Sequence, residues 1–161
     1  HMAPNELIFS EPFMSTGFVM VTQGSAKDIK TLEDAKRQNV KVGMPAYSPM
    51  AEYASKNSIP YTTFFQNYRV IDAMVEEQIN AAMIWSGAIS QAKLDRPQAV
   101  FEIVDGYVPV PEMTWNSAWV IKQKEVELIE FINESFAEML ETGEIQRIVE
   151  RYGMPFYPPM E

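Results

Sequence analysis

Aromatic side chains recur where extended segments give way to turns. Tyr47, Tyr53, Tyr61, Phe64, Phe65, Tyr68 and Trp85 all fall at or just beyond the end of a strand-like run. In open α/β sheets the ligand crevice lies outside the carboxyl ends of the strands. Tyr47, Ser48, Tyr68 and Trp85 are therefore the candidate ligand-binding residues. Rings there would stack on a ligand, Ser48 would offer a hydroxyl, and the amides opening the helix after it would face an anion. The competing use of the same residues is packing, with Phe64 and Trp85 in the core and the tyrosines on a rim.

Catalytic chemistry is poorly served by comparison. There is no Cys, and the single His is His1, which with Met2 reads as a cloning remnant. A serine nucleophile needs a base and an orienting group, and no histidine is present to supply them. Glu76 and Glu77 are adjacent at a helix end, where solvation is the ordinary role of two carboxylates. Any metal site would have to be all-oxygen, and no EF-hand spacing occurs. The sequence thus predicts a protein that binds rather than catalyses, with no catalytic residue, metal or cofactor assigned. Of the 11 methionines, Met14, Met20, Met44, Met50 and Met113 lie near turns, and core filling is their ordinary use.

Charge points the same way. With 22 Asp+Glu against 13 Lys+Arg the net charge is -9. Such a chain is repelled by phosphate backbones and anionic lipid, so nucleic acid and membrane insertion are not expected. A basic protein surface or a cationic solute suits it better. Glu127, Glu130 and Glu134, on a helix that also carries Glu138 and Glu141, are the candidate partner-binding residues, through electrostatic steering. The alternative is a solvated face.

These residues need a scaffold, and the periodicity supplies one. Strand-like runs at 17–22, 40–44, 59–65, 80–85 and 100–104 alternate with helical spacing at 27–38, 49–55, 68–78 and 86–94. Asp28 or Thr31 can cap the first helix, and Ser48 followed by Pro49 opens the second. NAAMIW at 80–85 is continuously apolar, as in strands covered on both faces. Pro109 and Pro111 mark an extended connector, and SAWVI at 117–121 reads as a further strand. Residues 125–142 form the clearest helix, with a stripe of Ile129, Ile132, Phe136 and Met139 and a stop at Gly143. A shorter helix follows over 144–152. This alternation predicts an α/β fold, a mostly parallel sheet flanked by helices, with a C-terminal helical extension.

The order of segments resembles a known family. FSEPFMSTGFVMVTQ, from Phe9, resembles the crossing between lobes of type 2 periplasmic solute-binding proteins (bacterial extracellular solute-binding family 3). KTLEDAKRQNVKVGM, VIDAMVEEQINAAMIWSG and the closing segment from Ser117 to Pro155 are similar, in turn, to the family's next three segments. The pair Ile84-Trp85 with Ser86-Gly87, and the ending ERYGMP, resemble the J-type proteins associated with quinoprotein (PQQ) alcohol and methanol dehydrogenases.

The resemblance implies one lobe of a periplasmic-binding-protein type 2 fold. Residues 3–16 would be a hinge and first-lobe remnant, 17–113 the second lobe, and 114–161 the return strand and C-terminal helices. It implies a periplasmic, non-enzymatic protein that contacts a quinoprotein dehydrogenase or its c-type cytochrome. The alternatives are the small-solute-gripping lobe of an ABC-transporter receptor and a periplasmic sensor domain. In amino-acid receptors of the fold an acid usually stands where Trp85 stands, and the family's ligand-binding Arg would lie before Phe9. Asn80 and the turn Gly43 to Ser48 also depart from the family pattern, so the usual zwitterion clamp is not expected here. The stripe through Ile129, Ile132 and Phe136 demands an apolar partner. The same lobe or a domain-swapped homodimer would provide one.

Overall fold

A computed structural model describes residues 7–97, 102–107 and 109–161. The chain divides into two compact units. One is Gly17–Thr114; the other comprises His1–Thr16 and Trp115–Glu161, described over 7–16 and 115–161.

Gly17–Thr114 is built on a mixed sheet in the order β4-β3-β5-β2-β6. β2 (Met14–Thr22) enters this unit at Gly17, followed by β3 (Val42–Pro45), β4 (Tyr61–Phe64), β5 (Ala81–Trp85) and β6 (Glu102–Ile103). β3 runs parallel to both β4 and β5, which the crossover helices between them require. β2 is antiparallel to β5, with Val19 opposite Ile84 and Met20 opposite Met83, and β6 is antiparallel to β2. The sheet is accordingly parallel on one side of β5 and antiparallel on the other. Of the run expected at 100–104, residues 100–101 lie outside the described residues.

Side chains alternate across the sheet, so the central strands β2 and β5 feed two cores. Phe18, Met20, Met44, Ala81 and Met83 join Leu32 and Ala35 of α1 (Leu32–Arg37) and Met50 and Ala54 of α2 (Pro49–Lys56) in one cluster. Val19, Val21, Ala82 and Ile84, all fully buried, alternate with them on the opposite face. α3 (Asn67–Val75), which packs on β3 and β5, buries Val70, Ile71 and Met74; α4 (Ser86–Asp95) buries Ile89 and Ala92. Gly43 is what lets the Ile79 and α3 layer close on β3. A Cβ there would collide with Ile79 Cδ1 and press on Phe64 and Val70.

Local signals decide where the helices begin. Thr31 and Asp34 form a complete capping box: Asp34 N–H donates to Thr31 Oγ1 at 3.0 Å, and Thr31 N–H to Asp34 Oδ2 at 3.0 Å. α1 therefore starts at Leu32 rather than near residue 27, and a short 3-10 turn, Gly24–Ala26, precedes it. Ser48 caps α2 by accepting from Ala51 N–H at 3.2 Å, with Pro49 in the first turn. Buried Gln23 donates through Nε2 to the carbonyls of Met74 (2.5 Å) and Ile79 (3.0 Å), satisfying acceptors where α3 ends and β5 approaches.

Pro111–Met113 is a 3-10 turn rather than simply extended, its N–H at Met113 returning to Val110 O at 2.8 Å. The strand expected at 117–121 is split into β7 (Thr114–Ser117), which pairs with β2, and β8 (Val120–Lys122), which pairs antiparallel with β1 (Leu7–Phe9). Gly17 allows the close approach to the end of the 3-10 turn, since a Cβ would lie 2.5 Å from the Met113 carbonyl oxygen.

In the other unit, α5 (Val126–Glu141) and α6 (Glu144–Arg151) are joined at Gly143, which adopts φ 70°. Met14, Ile145 and Val149 form a small core with Phe13, Phe136, Met139, Leu140, Met154 and Phe156 against it. Phe136 lies 4.7 Å from Phe13 and 6.0 Å edge-on from Trp119, ring to ring. The C-terminal tail is held by Ser15 N–H to Tyr157 O at 2.9 Å and Ser15 Oγ to Pro158 O at 2.9 Å. Phe136 thus finds partners within this unit and Ile129 is buried, while Phe131 stays 66% exposed.

Candidate functional site

The carboxyl ends of β3, β4 and β5 open onto a groove of about 680 Å³ between α3 and α4. Pro45, Phe65 and Trp85 bring the three strand ends to it. Gln66, Asn67, Tyr68 and Ile71 line one wall, and Gly87, Ala88, Gln91, Ala92, Asp95 and Arg96 the other. Its size is within the range of ordinary ligand sites.

Trp85 is the hinge of the arrangement. It is the last residue of β5 and the N-cap of α4, and its side chain is 43% exposed. Its backbone N–H donates to Asn67 Oδ1 at 3.3 Å, which ties the start of α3 to the strand–helix junction. The indole folds back on the first turn of α4, and a Cβ at Gly87 would collide with three atoms of the ring. Gly87 is thus the residue that lets the indole rest against the helix.

Tyr68 and Phe65 complete the aromatic surface, both exposed. The Arg69 guanidinium stands 5.1 Å from the centre of the Tyr68 ring and pairs with Asp72 at 3.4 Å. Asp72 also pairs with Arg96, so one carboxylate on α3 holds two guanidinium groups and fixes the far end of α4. Asp95 accepts from Gln91 Nε2 at 2.8 Å. Neither Gln66 before α3 nor Trp85 before α4 makes a side-chain cap hydrogen bond.

Of the residues singled out by sequence, Tyr68 and Trp85 meet in this groove, while Tyr47 and Ser48 line a different hollow. That hollow, about 770 Å³, lies on the α2 side and includes Glu52, Lys56, Tyr61 and Thr63. Tyr47 is 98% exposed, at φ 58°, and presents its ring to solvent. The Ser48 hydroxyl is committed to the cap, donating to Pro45 O at 2.7 Å while accepting from Ala51. Lys56 pairs with Glu52 at 2.6 Å and holds that carboxyl below its usual range. The quartet that sequence order had put together is therefore divided between two hollows. Glu127, Glu130 and Glu134 lie exposed on α5, in the other unit.

Sequence reasoning missed Gln66, Asn67, Gln91, Asp95 and Arg96. The only trace of the α4 wall in the sequence is the four-residue spacing of Gly87, Gln91 and Asp95, beside Ala88, Ala92 and Arg96. Among the described residues no group of three or more His, Cys, Asp or Glu is placed to hold a metal ion. No described helix is long and apolar enough to cross a membrane.

No protein-family model matches the sequence, and no curated protein matches it significantly. Solved structures do resemble it. The unliganded open L-cystine solute receptor of Neisseria gonorrhoeae superposes with TM-score 0.75 at 18% identity, over 99% of this chain and 66% of that one. The second substrate-binding domain of a putative amino acid ABC transporter from Streptococcus pneumoniae gives 0.72 at 21%, over 91% and 65%. The periplasmic binding protein XoxJ from Methylobacterium extorquens AM1 gives 0.70 at 17%, over 96% and 76%.

The chain therefore has the α/β fold of type 2 periplasmic solute-binding proteins, and its structural neighbours are proteins of that class. It spans about two thirds of the length of the two receptor structures. The neighbours are mostly binding proteins, although an ancestral cyclohexadienyl dehydratase shares the fold, with TM-score 0.64 at 16% identity over 94% of this chain and 64% of that one.

Proposed function

We propose that this chain is a non-enzymatic, periplasmic binding lobe whose working surface is the groove framed by Phe65, Tyr68 and Trp85. The observation that carries this reading is the groove itself. Three exposed aromatic residues converge at the carboxyl ends of β3, β4 and β5, where an open α/β sheet presents its ligand crevice. The described groove residues include no His, Cys or paired carboxylates suited to general acid–base work. Thermal-shift titration of the chain, with solutes and with partner proteins, tests the reading. Binding that is lost in Trp85→Ala and Tyr68→Ala supports it; binding that both variants retain refutes it.

Within that class, the reading we favour is a J-type accessory protein that contacts a quinoprotein (PQQ) dehydrogenase or its c-type cytochrome. Supporting it are Trp85, in the position where amino-acid receptors usually carry an acid, and the likeness to XoxJ. Glu127, Glu130 and Glu134 would steer a basic partner surface. Biolayer interferometry against immobilised dehydrogenase and cytochrome reads this directly. Association that weakens with salt, and loses that dependence in the Glu127→Gln/Glu130→Gln/Glu134→Gln variant, is expected; salt-independent or absent binding rejects it. The alternative is the solute-gripping lobe of an ABC-transporter receptor for amino acids, favoured by the likeness to the receptors. Tm shifts with free amino acids and none with either protein would choose it.

A further inference from the structure

The chain passes between its two units twice, from Thr16 to Gly17 and from Thr114 to Trp115. Both crossings are made by strands, β2 and β7, and these pair with each other. They run close together. A Cβ at Gly17 would lie 2.5 Å from the Met113 carbonyl oxygen and 3.3 Å from Thr114 Cα. Phe13 N–H also donates to Ser117 O at 3.0 Å. Two strands alone make a weak and easily twisted ribbon, and hinges sit at element ends of this kind.

The C-terminal tail braces both crossing strands. On β2 it is held at Ser15, whose N–H donates to Tyr157 O and whose hydroxyl donates to Pro158 O, each at 2.9 Å. On β7 it is held at Asn116, whose side-chain amide bonds Met160 in both directions. Asn116 Nδ2 donates to Met160 O at 3.0 Å, and Asn116 Oδ1 accepts from Met160 N–H at 2.8 Å. This reciprocal pair is what a strand residue would offer from its backbone. Ser15 and Asn116 are each the second residue from a crossing, and every one of these groups lies within one unit.

Between the two anchors stand Pro158 and Pro159. Proline fixes its own φ and keeps the residue before it extended, so this link has little slack. In the extended polyproline form, at about 3.1 Å per residue, it spans about 9 Å from Tyr157 to Met160. A flexible link with the same anchors would let the two strands shear past each other; a stiff one resists it.

We infer that residues 157–160 are a stiff strap that locks β2 to β7 at the crossings and restrains the turning of one unit against the other.

The test uses the whole chain. It has no cysteine of its own, so spin labels go only to Glu33→Cys on α1 and Glu138→Cys on α5, both exposed and one in each unit. Double electron–electron resonance reads the spread of distances between the labels, and hydrogen exchange reads the Ser15 amide. Asn116→Ala removes both bonds to Met160 at an exposed position, so the fold is not at risk. Pro158→Gly/Pro159→Gly keeps the anchoring carbonyls and removes the stiffness. Asn116→Ala should speed exchange of the Ser15 amide about tenfold, because losing one anchor frees the other. Both variants should broaden the distance distribution.

A distribution that stays as narrow as that of the parent chain in either variant would overturn the inference, leaving the tail a local tie. Unchanged Ser15 exchange in Asn116→Ala would overturn it as well, because the two anchors would then act separately.

Discussion

Gly87→Ala tests the central geometric claim, that the Trp85 ring rests on the first turn of α4. Two opposing effects set its outcome. Glycine within a helix is less favourable than alanine by up to about 1 kcal/mol, so the substitution alone would stabilise α4. Against this, the new methyl collides with three ring atoms. The collision is with the outer edge of a side chain, so the indole swings away and the backbone holds. Trp85 is 43% exposed, which leaves a little over half of its surface covered. Of roughly 250 Å² for a tryptophan, about 140 Å² is then buried, equivalent to at most about 3.5 kcal/mol. Shedding about half of that contact costs about 2 kcal/mol, and the gain in helix propensity offsets up to half of it.

The expected net effect is about 1 kcal/mol of destabilisation, a fall in urea midpoint of about 0.5 M. Trp115 and Trp119 are exposed at 42% and 54%, so the measurement is made in a Trp115→Phe/Trp119→Phe background to isolate the Trp85 emission. A red shift of that emission should accompany the stability loss. A Gly87→Ala variant that is about 1 kcal/mol more stable, with unchanged emission, would show that the ring does not lie on the glycine, and the aromatic wall would be lost with it.

Other expectations follow from the supporting structure. Gln23→Ala should cost about 2–3 kcal/mol in urea unfolding, because the Met74 and Ile79 carbonyls lose a buried donor, and a cost below about 0.5 kcal/mol would place water there instead. Thr31→Ala should cost about 1 kcal/mol through the lost α1 cap, read from the same transitions. The Thr31 hydroxyl, with the backbone at Lys30 and Thr31 and the Arg37 charge, holds the Asp34 carboxyl below its usual range. A lowered folded value means the contribution is present above the unfolded carboxyl range and is lost as pH falls through the folded one, so Thr31→Ala should flatten that acid limb of the stability profile. Phe136→Ala should cost about 2–3 kcal/mol by removing the ring shared with Phe13 and Trp119, measured as a fall in the denaturation midpoint.

The local elements were legible because their causes are local. Pro49 after Ser48 places the start of α2, and the apolar run ending at Trp85 marks β5. The sequence offers Thr31 and Asp28 equally as caps of α1. Only the observed capping box chooses between them, because the preceding 3-10 turn removes residues 27–31 from the helix. Direction within the sheet was harder. Alternating strands and helices predict the parallel pairing of β3 with β4 and β5, but nothing local announces that β2 runs against β5. Strand direction there follows from where the chain comes from, which is a long-range property.

The candidate site divides in the same way. Residue type and position at strand ends pointed to Tyr47, Ser48, Tyr68 and Trp85, since aromatic side chains just past a β-strand can be read from one sequence. Which of them share a surface depends on side-chain direction and on which helix covers which face. Ser48 and Tyr47 turn towards α2, whereas Trp85 and Tyr68 turn towards the α3–α4 groove. The wall formed by Gln91, Asp95 and Arg96 leaves only a four-residue spacing in the sequence, because exposed polar residues on a helix become a site only when another element stands opposite. By itself the sequence determined an acidic α/β chain, without thiol chemistry or a usable histidine, that carries aromatic residues at its strand ends. The tertiary structure decided that Trp85 lies over Gly87, that Asp72 ties Arg96 to α3, and that Tyr68 and Trp85 share a groove between α3 and α4, the last two because they depend on the packing of residues distant in the chain.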